Sequence, residues 1–239
     1  MMMRLVFLTT QTTHHAHFVR AMKSRGEVMG CVLETTGVKA PFETEHKYLN
    51  EQEQYEVSKF FARKESQIED QSSFVSVTDI NDSSAIEAVQ DWQPDMTVAF
   101  GVRRLKSETI ERFPGILLNL HGGDPEKYRG LDTHLWAIYH SDFDSLVTSL
   151  HVLAPRLDTG DIVRQGRIPL RKDMPLYELR AANTEVCIDL VKDAVDTLKS
   201  EGKLTLTKQR NIGRYYSFMP SVLKDHVKRR FEAFTGRLP

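Results

Sequence analysis

The chain has 239 residues, 40% of them hydrophobic, and a formal net charge of -1, which fits one full domain with its own core plus a short addition. The near-neutral charge excludes a protein that coats nucleic acid, and the apolar content excludes a chain disordered throughout. The two cysteines, Cys31 in an apolar run and Cys187 on a helical pattern, imply buried thiols and no disulfide framework.

In chain order, Leu5 to Thr9 reads as a strand, followed by a polar turn and a helix with Phe18, Val19 and Met22 at helical spacing. Val28 to Leu33 is a second apolar run, and Phe42 to Ser66 an amphipathic stretch whose Tyr48, Leu49, Tyr55 and Phe60 share a helix face. Phe74 to Val77 is a brief strand, and Asp82 and Ser83 are suited to cap a helix running to Trp92. Met96 to Phe100 and Gly115 to Leu120 are strands around a short helix from Lys106 to Phe113, and Gly130 to His140 is a helix. Leu146 to Leu153 and Asp161 to Leu170 are two strands with a short connection, and Pro175 opens a helix to about Ser200. The alternation predicts an open, doubly wound, mostly parallel sheet covered by helices, with an antiparallel or mixed portion late in the chain. The division expected is a main domain at 1–205 and an extension at 206–239, where Val222, Leu223, Val227, Phe231 and Phe234 recur at helical spacing. Such a helix serves as a docking or a homodimerisation element. The start of the chain has no long apolar signal region and nowhere do about 18 apolar residues run together, so a cytoplasmic protein with no membrane partner is expected.

Ligands of open α/β sheets bind beyond the carboxyl ends of the strands. Three such places stand out, at Thr9 to His15, Gly101 to Leu105, and His121 to Pro125. None carries a dinucleotide or P-loop fingerprint. Asn119 and His121 alternate by two, so both side chains leave the sheet on one face. Gln11, Thr12 and His14 either hold a substrate or a phosphate at a helix start, or Thr13 there is only an N-cap. His14, His15 and His17 lack an acid or cysteine to complete a ligand set, so no metal is expected.

Leu118-Asn119-Leu120-His121, Tyr128-Arg129-Gly130 and Leu157-Asp158-Thr159-Gly160-Asp161-Ile162, in this order and spacing, resemble the folate-dependent formyltransferases. The resemblance covers roughly residues 4 to 200. It implies a Rossmann-like domain in which Asn119, His121 and Asp158 are catalytic, and in which 10-formyltetrahydrofolate donates its formyl group to a primary amine. The amide of Asn119 and a protonated His121 would stabilise the developing oxyanion, and His121, oriented by Asp158, would take the amine's proton. The resemblance also places the pteridine in an apolar slot between Phe100 to Leu105 and Leu153 to Asp158, which assigns Phe100, Arg103, Leu105, Leu153 and Asp158 to folate.

The departures bear on the acceptor. The turn at Thr10 to His15 lacks the glycine-rich phosphate loop of glycinamide ribonucleotide formyltransferases, and too few residues follow the long helix for the second basic domain of methionyl-tRNA enzymes. The first strand begins too early for the regulatory domain of formyltetrahydrofolate hydrolases. His121 to Pro125 with Leu131 to Trp136 is similar to amino-sugar formyltransferases, so a small nucleotide-linked amino sugar is the expected acceptor, in polysaccharide biosynthesis and without a nucleic-acid partner. Gly122 and Gly123, where many members read Pro-Ser, are expected to shape the acceptor site, and Arg129 either contacts a phosphate or braces its loop. The alternatives are a glycinamide ribonucleotide formyltransferase and a folate- or nucleotide-binding module without turnover.

Overall fold

The computed structural model describes residues 2–62, 67, 68 and 73–239. Strand β1 (Arg4–Thr9) leads into helix α1 (Thr13–Met22), then β2 (Glu27–Glu34), α2 (Leu49–Phe61), β3 (Phe74–Val77), α3 (Ser83–Trp92), β4 (Met96–Phe100), α4 (Ser107–Arg112) and β5 (Ile116–His121). Next come β6 (Tyr128–Gly130), α5 (Thr133–Tyr139), β7 (Val147–Val152), β8 (Ile162–Arg167), α6 (Leu179–Glu201), β9 (Arg214–Tyr216) and α7 (Ser221–Thr235). The main sheet has the order β3-β2-β1-β4-β5-β7-β8. Its first five strands are parallel, while β7 pairs antiparallel with both β5 and β8. This is the Rossmann-like, doubly wound, mostly parallel architecture expected, and its strand order reverses between β1 and β4, where such sheets open a crevice.

The period of two along β1 sorts the core into layers. Leu5 and Phe7 face α1 and α6 with Phe18, Met22, Ile188 and Val191. Val6 and Leu8 face α3 with Ala85, Ile86 and Val89. All five residues of β4 are buried, as a central parallel strand covered on both faces requires. A third cluster joins α5 to α7 through Ile138, Met219, Val227 and Phe231. The extension therefore docks on its own domain, with β9 pairing parallel to β6.

Several expected boundaries move. The stretch from Phe42 is helical only from Leu49, and residues 63–66 at its end lie outside the described residues. The helix expected from Gly130 begins at Thr133, because Gly130 (φ 95°) and Asp132 (φ 49°) are left-handed and Tyr128 to Gly130 pairs as a strand. A Cβ on Gly130 would lie 2.2 Å from the Tyr216 carbonyl oxygen, so only glycine lets β9 come alongside. Pro175 opens a 3₁₀ turn, Leu176–Glu178, before α6 begins. Asp82 occupies the cap position of α3, but its carboxylate accepts from the Asp79 N–H and the Thr78 hydroxyl rather than from the helix. No described helix is long and apolar enough to cross a membrane.

Candidate active site

A cavity of about 770 Å³ opens at the carboxyl ends of β1, β4 and β5. Asn119 and His121 reach it from one face of β5, as their alternation predicts, and the β7–β8 connection carries Asp158 to them. Asp158 Oδ2 stands 3.6 Å from His121 Nδ1 and accepts the Gly130 N–H at 2.9 Å. The loop can approach this closely because of Gly160, where a Cβ would overlap the Val152 carbonyl oxygen at 1.7 Å. Asp158 itself is left-handed (φ 52°), an uncommon conformation that the surrounding bonds must hold. Gln209, from the extension, donates its amide to the carbonyls of Asp158 at 3.0 Å and Gly160 at 2.8 Å.

His121 Nε2 donates to the Tyr128 carbonyl at 2.8 Å, which leaves the lone pair on Nδ1, beside Asp158. Burial pushes the imidazole below its ordinary pKa, outweighing the carboxylate's opposite pull, so the resting ring is neutral. Burial by itself would raise the Asp158 carboxyl, but the charge that His121 and His151 carry once protonated, with the Gly130 N–H, holds it down to about 2. A proton arriving at Nδ1 would thus complete an ion pair.

His151 escaped the sequence reading. It lies opposite Asn119 in the β5–β7 register, its Nδ1 donates to the Val152 carbonyl at 2.9 Å, and its Nε2 accepts from the Asn119 amide at 3.1 Å. One N–H of that amide is oriented by His151 and the other is left for the cavity. The only signal was an imidazole between the apolar Leu150 and Val152, and its meaning depended on a register the sequence does not show.

Phe100, Leu105, Leu153 and Asp158 line the cavity as expected, with Val102 and Leu157 among their neighbours. Arg103 also borders it, but its guanidinium is turned outward to Glu34, to Asp79 at 2.9 Å and to the Thr78 carbonyl at 3.0 Å. Its side chain is a brace, so what Arg103 offers the slot is its backbone. The neighbouring Arg104, not anticipated, donates from Nε to the Pro155 carbonyl at 3.1 Å and so ties the two segments bounding the slot.

The residues expected at the acceptor separate. Gln11 turns away to the Ile68 N–H at 3.3 Å and to Gln67, and Thr12, not Thr13, caps α1 by accepting the His15 N–H at 3.4 Å. Neither lines the cavity, Thr12 because a capping side chain folds back on its own helix and Gln11 because it is bonded to residues 67 and 68. His14 does line it, backed 3.7 Å away by Glu56, which Arg180 grips with two bonds of 2.6 and 2.8 Å. Gly122 borders the cavity, whereas Gly123 is outside its lining, where a Cβ would meet both the His121 ring and Thr133 at 3.2 Å. Arg129 is 8% exposed, outside the cavity lining, and its Nε has no hydrogen-bond partner among the described residues. His17 pairs with Glu185 at 3.0 Å, so the three histidines of α1 do not converge.

Residues 3–188 match the formyl transferase family. The chain belongs to the formyl transferase family. A methionyl-tRNA formyltransferase of Finegoldia magna is 29% identical over 119 residues, covering 49% of this chain and 38% of that protein. Among solved structures, HypX of Aquifex aeolicus superposes at a TM-score of 0.61 and 16% identity, covering 100% of this chain and 35% of HypX. The matched part thus spans well under half of either protein. An N-formyltransferase of Helicobacter canadensis, solved with folinic acid and dTDP-3-aminofucose, superposes at a TM-score of 0.59 and 16% identity, covering 90% of this chain and 71% of that one. At such identities the structural likenesses show a shared formyltransferase fold.

Proposed function

We propose that this formyltransferase moves the formyl group of 10-formyltetrahydrofolate to the primary amine of a nucleotide-linked amino sugar. The observation that carries the reading is the convergence of Asn119, His121 and Asp158 at a cavity with an apolar slot on one side and a polar lobe on the other. Phe100, Leu105, Leu153 and Leu157 give the slot the walls a flat heteroaromatic ring needs, and the backbone of 101–104 lies along its edge. When bound there, 10-formyltetrahydrofolate supplies an electrophilic formyl carbon and departs as tetrahydrofolate.

The free N–H of Asn119 meets the negative charge that develops on the formyl oxygen as the amine adds, an interaction worth about 10²- to 10³-fold in rate. His121 Nδ1 takes the proton the amine must lose, the carboxylate of Asp158 stabilises the resulting imidazolium, and the imidazolium would return that proton to the donor nitrogen as its bond to the formyl carbon breaks. His151 acts through Asn119 by fixing the plane of its amide. The acceptor class is supported by the likeness to the Helicobacter canadensis enzyme with its bound dTDP-3-aminofucose. It is also supported by the turn at Thr10 to His15, which contains no glycine.

The test is incubation with 10-formyltetrahydrofolate and a panel of dTDP-, UDP- and GDP-linked amino sugars beside glycinamide ribonucleotide, read by mass spectrometry. The expected result is a gain of one formyl group on a nucleotide sugar with release of tetrahydrofolate. A gain on glycinamide ribonucleotide alone would replace this acceptor with the purine precursor. Folate binding without transfer to any amine would leave only a binding module.

A further inference from the structure

The polar lobe of the cavity is walled by the extension. Ser221 N–H donates to the Glu43 carbonyl at 2.9 Å, Lys224 Nζ donates to the Thr44 carbonyl at 2.7 Å, and Lys47 pairs with Asp225 at 2.5 Å. These bonds clamp the segment 43–48 onto the first turns of α7. Asp132 enters the same wall from the start of α5, its Oδ2 accepting the Met219 N–H at 2.8 Å and standing 3.5 Å from Lys224 Nζ. Asp132, Lys224, His46 and Tyr48 all line the cavity.

Among the described residues, two polar atoms here have no hydrogen-bond partner. Tyr48 is 4% exposed and its Oη is unbonded, and the Nδ1 of His46, whose ring stacks on Tyr48 with centroids 3.8 Å apart, is unbonded too. Burial and the charges of Lys224 and Arg180 press His46 down to about 4, so the ring is neutral. Burial and the nearby carboxylates push Tyr48 up, so it remains a phenol that can donate. Buried polar groups are normally satisfied, and a pair of orphans beside a carboxylate and an ammonium is suited to complete its bonds on a ligand.

We propose that Asp132, Lys224 and Tyr48 form the subsite for the hydroxylated ring of the acceptor, so that the extension, rather than the first turn, decides which amine is formylated. The carboxylate accepts from a ring hydroxyl while the ammonium and phenol donate to its neighbours. The Asp132–Lys224 pair already balances its own charge, so neutral hydroxyls fit it better than a carboxylate or ammonium would. Leu135, Leu176 and Phe218 supply apolar surface in the lining for the ring's carbon face. The proposal rests on the amino-sugar reading above.

The experiment compares the full chain with its Tyr48→Phe and Lys224→Met variants. The acceptors are the dTDP-linked amino sugar formylated by the wild type and an analogue lacking the hydroxyl beside the amine. Tyr48→Phe should raise the acceptor KM about tenfold, the effect of one hydrogen bond. Its kcat should stay within about threefold, the KM for 10-formyltetrahydrofolate should not change, and its melting temperature should hold or rise. Lys224→Met should abolish the preference for the hydroxylated acceptor over the analogue. Should Lys224→Met fail to fold, Tyr48→Phe decides alone, since it removes only an unbonded hydroxyl. An unchanged acceptor KM in Tyr48→Phe overturns the subsite while leaving the amino-sugar reading intact. Formylation by the wild type of a zwitterionic amino acid, and of no sugar, overturns both.

Discussion

The chemistry assigned to this site depends on one carboxylate facing two imidazoles. Asp158 lies 3.6 Å from His121 Nδ1 and 3.6 Å from His151 Nε2, yet burial keeps His121 neutral at rest. The ring is therefore ready to accept a proton, and its charged form gains a partner only once the proton has arrived. Asp158→Asn preserves the size of the side chain and removes the charge. The expected outcome is a fall in kcat on the order of 10²- to 10³-fold, with the acid limb of the kcat/KM profile displaced to lower pH, because the carboxylate is what holds the His121 pKa up. A profile displaced to higher pH would contradict the assignment. At this scale much was legible: the alternation of Asn119 and His121 put them on one face, and the family resemblance, rather than the spacing of its loop, pointed Asp158 to its partner. What could not be read was direction, since Arg103 and Gln11 are polar residues at the right turns whose side chains swing away to Asp79 and Ile68.

Among the elements, continuous apolar runs marked the parallel strands clearly, because strands covered on both faces leave no alternation to misread. The short strands were hidden for the opposite reason. Tyr128 to Gly130 and Arg214 to Tyr216 form three pairs across more than eighty residues, and neither has a hydrophobic period of its own. Gly130 holds the junction, since its backbone is left-handed and its α-carbon meets the Tyr216 carbonyl. Gly130→Ala should therefore destabilise the fold by about 2 kcal/mol or more and separate β9 from β6. Urea unfolding with limited proteolysis at 206–220 would measure it, and a variant as stable and as resistant as the wild type would contradict the pairing's importance. The same change should loosen Asp158, whose carboxylate is bonded to the Gly130 N–H.

Across the whole molecule, the extension is part of the architecture. It contributes Phe231 and Val227 to a buried cluster, Gln209 to the Asp158 loop and Lys224 to the cavity wall. The helical spacing of its apolar residues predicted a docking face, but not the surface it would cover, because that surface is assembled from α5 and the turn before α6. A second global property follows from the buried imidazoles. His134 and His46 are pressed down to about 4, and His14, His15 and His121 are lowered as well, burial being the first cause in each. Between the ordinary value of 6.5 and about 4 the unfolded chain binds more protons than the folded one, so stability must fall as the pH is lowered through that window. His134, fully buried, contributes up to roughly 3 kcal/mol to the decline. Urea denaturation at a series of pH values should show it, with a shallower slope in His134→Gln. A stability independent of pH over that range would mean that these rings are solvated. The central claim, that Asn119 with His121 and Asp158 performs formyl transfer, is tested most directly by the rate of transfer from 10-formyltetrahydrofolate in Asn119→Ala beside the wild type. The account predicts a loss of about 10²- to 10³-fold with folate binding retained; transfer at the wild-type rate would contradict it.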